Sequence, residues 1–141
     1  MEMLAKTDER QAVVDEWLAQ FESALAKPDD ARLKNLFHAD SHWRDLLALT
    51  WTIGTVEGHD NIVAALKAQS GHAKPSGFGV DLDRTPPRQV TRAGTAATEA
   101  IFRFETATGR GSGVVRLTSD KSGAIKAWTL LTAIEELKGH E

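Results

Sequence analysis

The 141 residues contain neither cysteine nor tyrosine. Without cysteine there can be no disulfide and no thiolate metal site. Without tyrosine, the phenol that often donates a proton in small acid–base enzymes is missing. No apolar run approaches the ~20 residues of a membrane-spanning helix. The opening stretch, MEMLAKTDERQ, is charged and has no apolar core, so it does not read as a secretory signal. Basic residues are not in excess: 17 Lys and Arg face 20 Asp and Glu, for a net charge of −3. No Lys/Arg cluster with interleaved aromatics occurs, which argues against a nucleic-acid partner. Low-complexity segments and internal repeats are also absent. The chain therefore reads as a cytoplasmic protein that contacts neither nucleic acid nor membrane.

Hydrophobic residues make up 41% of the chain and charged residues 26%, which allows a core and argues against the disordered class. The length suits one domain, 1–141, which can bury roughly two-thirds of its unfolded surface.

Val13, Val14, Trp17, Leu18, Phe21, Ala24 and Leu25 mark one face of an amphipathic helix. Asp8 and Gln11 suggest a capping box at its start, and Pro28 ends it. Asp29 or Asp30 can cap a short second helix through Phe37. The stretch from about His42 to Val56 reads as a strand pair. A third helix begins at Asp60 and is expected to stop at Gly71. Beyond it come GFGVDLDRT, AATEAIFRFETAT, GSGVVRLTSD and AIKAWTLLTAIEEL, four strands joined by short turns. Segregated helices followed by a meander indicate an α+β fold. The expected architecture is a strongly curved antiparallel sheet, a cone-like half barrel, wrapped by three helices around one apolar pocket.

This order, with LFHADSHWRDL after the helix pair, resembles the nuclear-transport-factor-2-like (SnoaL-like) superfamily, which includes ketosteroid isomerases, scytalone dehydratase and polyketide cyclases. Four stretches, LFHADSHWRDLLALTWTIGTVEGHDNI, FRFET, GVVRLTSD and AWTLLTAIEELKGHE, look like the SnoaL-like domain at the N-terminus of some bacterial flavin-containing monooxygenases. The narrower likeness implies a small-molecule pocket domain, with a flavoprotein module following in a longer chain. The broader likeness implies the alternative, a stand-alone cofactor-free isomerase, dehydratase, lyase or cyclase.

In that alternative Asp45 matches the strand aspartate that serves as general base in ketosteroid isomerases. Alternation places Asp45 with Trp43 and Leu47, an otherwise apolar set. Desolvation there would poise it for proton abstraction near neutral pH. Ion pairing with Arg44, Arg103 or Arg116 is the competing, structural reading. A lone carboxylate in such a place costs several kcal/mol unless paired, protonated or wet. If it is unpaired and catalytic, Asn in its place would be tolerated and could even stabilise the fold. Phe21 or Trp17 stands where helix one would supply the isomerase tyrosine.

Trp17, Phe21, Trp43, Trp51, Phe102, Phe104 and Trp128 are the candidate pocket lining, suited to a small apolar or aromatic molecule. The face of Trp128 stays open. Arg103 and Glu105 share the outer face of their strand. His38, Asp40 and His42 alternate, but they straddle a helix end without a further ligand nearby, so no metal site is expected. GRGSGV and GFGVDL do not complete G-x-G-x-x-G and lead into no helix, so they read as turn or strand glycines and no flavin or nicotinamide cofactor is expected. The sheet face left bare by the helices carries Ile101, Val114 and one side of the Trp128 strand, which suggests a homodimer.

Overall fold

The first helix follows from its apolar spacing. Val14, Trp17, Leu18, Phe21, Ala24 and Leu25 are each at most 3% exposed, and each large side chain so buried contributes roughly 1.5–3 kcal/mol. The computed structural model describes residues 2–50 and 53–139, with side chains from Glu9 onward. In it α1 spans Glu2–Ala26. Asp8 thus lies inside the helix and not at its cap. The strong helix formers Met3 to Lys6 carry the helix upstream of it.

Asp29 caps α2 (Asp30–Asn35) by accepting the Arg32 amide at 3.1 Å. The chain turns directly into β1 (Phe37–Leu46), so Phe37 opens a strand and does not close a helix. β2 (Ile53–Glu57) returns antiparallel. α3 (His59–Ala73) runs through Gly71. It ends because Lys74 takes a left-handed conformation, φ 48°, and Pro75 cannot continue the helix. β3 (Ser76–Val80), β4 (Arg88–Arg92), β5 (Thr95–Glu105), β6 (Gly109–Ser119) and β7 (Ile125–Leu137) complete the chain. The short β4 was not legible as a strand of its own.

The seven strands form one open sheet in the order β2-β1-β7-β6-β5-β3, with β4 on the other half of the β5 edge. All pairings are antiparallel but one: β1 lies parallel to β7. This junction joins the two ends of the chain's sheet. It sets Asp45 beside Thr132 and Trp43 beside Leu130. Register shifts leave extra residues in β1, β3 and β7, and such irregularities bend the sheet.

The concave interior is filled with rings. Trp17 stacks on Phe21 at 4.9 Å, Phe21 meets Phe78 at 5.2 Å, and Phe78 stacks on Phe104 at 5.1 Å. The glycines of GRGSGV make this possible. They lie in β6, and Gly111 and Gly113 pair with Phe104 and Phe102. A Cβ on Gly111 would meet the Phe104 ring, and one on Gly113 would meet the Phe102 ring and the Leu131 carbonyl. Bare backbone at alternate positions is thus a trough into which two aromatic rings settle. Among the described residues, no helix is long and apolar enough to cross a membrane.

Candidate functional site

Asp45 points inward and is 3% exposed. Its neighbours differ from both sequence expectations. Among the described residues no arginine reaches it: Arg116 bonds Glu99 at 2.8 Å, and Arg103 donates to the Val80 carbonyl at 3.4 Å. The carboxylate instead receives the 47–50 turn. The Leu49 amide reaches both oxygens at 3.1 Å. The Thr50 amide and hydroxyl each donate to Oδ2 at 2.8 Å. On the other side the Thr132 hydroxyl donates to Oδ1 at 2.5 Å, and itself accepts the Trp43 indole at 2.9 Å. The result is a relay from Trp43 through Thr132 to Asp45, closed by two backbone amides.

This arrangement has a packing consequence. Strand β1 stops at Leu46, and Leu47 takes φ 64° with its side chain 38% exposed, so it leaves the face shared by Trp43 and Asp45. That sharp reversal sends Ala48 and Leu49, each 2% exposed, back into the core. A β-branched or bulky residue in left-handed backbone persists only where its surroundings hold it. The Asp45 hydrogen bonds supply that hold.

The aromatic candidates separate into groups. Phe21, Trp43, Phe102 and Phe104 are at most 2% exposed and belong to the packed core. Trp128 is half-buried and is skipped by the β6–β7 pairing, where Arg116 meets Thr129 and Leu117 meets Ala127. The bulge explains why strict alternation left its face open: Ala127 and Leu130, three apart, both point inward. Trp51 lies outside the described residues. Trp17 borders a cavity along α1, and Phe104 borders a polar one beside Arg103 and Glu105.

The space beside Trp17 is one of two adjoining cavities, lobes that share Val13 and Ile125, between α1 and the near ends of β5, β6 and β7. One lobe, about 460 Å³, is bordered by Arg10, Val13, Gln89, Thr98, Leu117 and Ser119. The other, about 480 Å³, has Trp17 and Leu36 among its apolar walls and Glu16, Gln20 and Asn35 among its polar residues. Each lobe falls in the size range of small-molecule sites. The Trp17 indole is fixed by donating to the Leu36 carbonyl at 3.0 Å. Sequence reasoning passed over Arg10, Leu36 and Ile125 as site residues. A signal existed in Arg10, Val13 and Trp17, whose spacing puts a cation on the apolar face of α1.

Elsewhere the charged groups serve the sheet. Glu99 lies between Arg88, Arg92 and Arg116 on the convex face. Burial pushes its carboxyl up, but hydrogen bonds from Arg116 and Arg88 and the charges of Arg116 and Arg92 outweigh this and hold it below the usual range. Asp120 is also held well below it, chiefly by the Ser122 hydroxyl and further by Lys126 and turn amides, against a smaller opposing effect of burial. His38 bonds Thr118, and His42 pairs with Glu57 at 3.8 Å. Among the described residues no group of three or more His, Cys, Asp or Glu could hold a metal. Arg103 and Glu105 are exposed, on the outer face as expected.

No known family model matches the chain, and no curated protein matches it. Solved structures do. A nuclear transport factor 2 (NTF2-like) superfamily protein from Salmonella enterica serovar Typhimurium LT2 is 15% identical, with a TM-score of 0.62 over 94% of this chain and 96% of its own. An NTF2-like protein of unknown function from Silicibacter pomeroyi DSS-3 is 12% identical, with a TM-score of 0.62 over 92% and 98%. A protein of unknown function with a cystatin-like fold from Nostoc punctiforme PCC 73102 is 14% identical, with a TM-score of 0.57 over 86% and 88%. At these identities the likeness is one of architecture, and it gives this chain the NTF2-like, cystatin-like α+β fold.

Proposed function

We propose that this domain binds a small apolar or aromatic molecule, and that it does so in the cleft along α1. One observation carries the reading: Val13, Trp17, Leu36 and Ile125 line an apolar wall on open space, while Phe21, Phe102 and Phe104 are buried among rings in the core. Ile125 is 38% exposed there, apolar surface that a ligand would cover. In its finer form the reading makes this the SnoaL-like accessory domain of a flavin-containing monooxygenase, supported by the sequence likeness alone.

The enzymatic alternative uses Asp45 as acid or base. A buried carboxylate with no cation beside it among the described residues favours that reading. Against it, both oxygens already accept hydrogen bonds from the turn and from Thr132, and a general base needs a lone pair free to face the substrate. The binding reading is therefore preferred.

Val13→Trp tests it. Val13 borders both lobes and is half-exposed, so the larger ring fills the cleft without entering the core. Ligand-observed NMR with a panel of neutral apolar and aromatic compounds should show binding to the wild type and its loss in this variant. Binding that survives Val13→Trp would place the ligand elsewhere and overturn the assignment.

A further inference from the structure

The cleft has a polarity that the apolar reading does not use. Arg10 is half-buried on the wall of the first lobe. Among the described residues no acidic side chain pairs with it; the same holds for Arg32, Arg44 and Arg103, whereas Arg84, Arg88, Arg92, Arg110 and Arg116 have carboxylate partners. The uncharged hydrogen-bonding groups of Gln89, Thr98 and Ser119 border the same lobe. Glu9 also borders it but is exposed and free to turn to solvent. The second lobe is the more apolar, and its charged member is Glu16.

Building on the pocket proposed above, we infer that the ligand is an amphipathic carboxylate, with its acid group on Arg10 and its apolar body on Trp17, Leu36 and Ile125. The charges fix the direction. A partly desolvated guanidinium is a bidentate partner for a carboxylate. Glu16 at the far lobe repels an anion there, so the molecule enters in one orientation. Seven residues of α1 separate Arg10 from Trp17, about 10 Å along the helix axis, the reach of a medium-length acyl or aryl-alkyl chain.

The test compares octanoate with 1-octanol, which share a chain and differ in charge, by calorimetry and Trp fluorescence on the wild type, Arg10→Gln, Arg10→Lys and Val13→Trp. Octanoate should bind the wild type about tenfold more tightly than octanol, the worth of one charge-assisted contact. Arg10→Gln should remove that preference, so that the two ligands bind this variant equally. Arg10→Lys should keep part of it, and 1 M salt should shrink it. Val13→Trp should weaken both ligands. Equal binding of both ligands to the wild type, or a preference that survives Arg10→Gln, overturns the carboxylate inference and leaves the pocket standing. If neither ligand binds, the pocket reading falls and takes the inference with it.

Discussion

Replacing Asp45 by Asn separates its two possible roles. Seen from the sequence, a lone carboxylate among apolar neighbours would cost stability, and Asn would be tolerated or welcome. The hydrogen bonds argue the opposite. Asn offers one acceptor oxygen where Asp offers two. In its better orientation the oxygen keeps the Leu49 and Thr50 donors, and the new NH₂ faces the Thr132 hydroxyl. That hydroxyl can then accept but no longer donates. The remaining bonds lose the carboxylate's charge, which about halves the strength of each. Roughly 1 kcal/mol for each of three weakened contacts gives a loss of about 3 kcal/mol. For a domain of this size that lowers Tm by about 10 °C. Circular dichroism melts with urea titrations measure it. Hydrogen exchange should locate the damage, with the Leu49 and Thr50 amides losing protection ahead of the core strands. A change below about 1 kcal/mol, or a gain in stability, would refute the structural role and return Asp45 to the catalytic reading.

Three further outcomes follow from the packing. Gly113→Ala should destabilise the fold by more than about 3 kcal/mol or prevent folding, because its Cβ meets a strand carbonyl and the Phe102 ring; a soluble variant with wild-type Tm would contradict the trough. Glu99 has its folded-state pKa lowered, so its contribution is full above the ordinary glutamate range and is lost as pH falls through that range towards the folded value; the stability gap between wild type and Glu99→Gln, measured by urea titration, should therefore shrink from about pH 6 to about pH 3. Ile101, Val114 and Leu131 form a half-buried apolar row across the convex face, and we propose that it seats a second copy of the chain; light scattering should report a dimer at micromolar concentration, and Val114→Arg should yield a monomer.

The local patterns were readable and the long-range pairings were not. The apolar stripe from Val14 to Leu25 declares α1, and the alternation of Ala100, Phe102 and Phe104 declares the inner face of β5. Asp45 could be placed inside by the same alternation. Its partners could not, because Thr132 arrives from 87 residues away through the parallel β1–β7 junction. Leu47 broke the alternation because a non-glycine residue adopted left-handed backbone, for which a leucine gives no warning. The aromatic residues looked like a pocket lining because type and spacing do not tell a ring that borders a cavity from one that fills it. The glycines of β6 decide that question, by making room for Phe102 and Phe104. The cleft itself depends on how α1 lies against the strand ends, a tertiary relation that leaves only the out-of-place Arg10 as its trace in the sequence.

The central claim is that ligand occupies the cleft along α1 and not the interior around Asp45. The most direct measurement is a ¹H–¹⁵N spectrum of the indole groups during titration with 1-octanol, assigned with single Trp→Phe variants. Trp17 borders the cleft, and the Trp43 indole is buried in the relay to Asp45. The Trp17 resonance should move in a saturable way while that of Trp43 stays in place. Saturable movement of Trp43 with Trp17 unchanged would contradict it and put the binding site inside the cone.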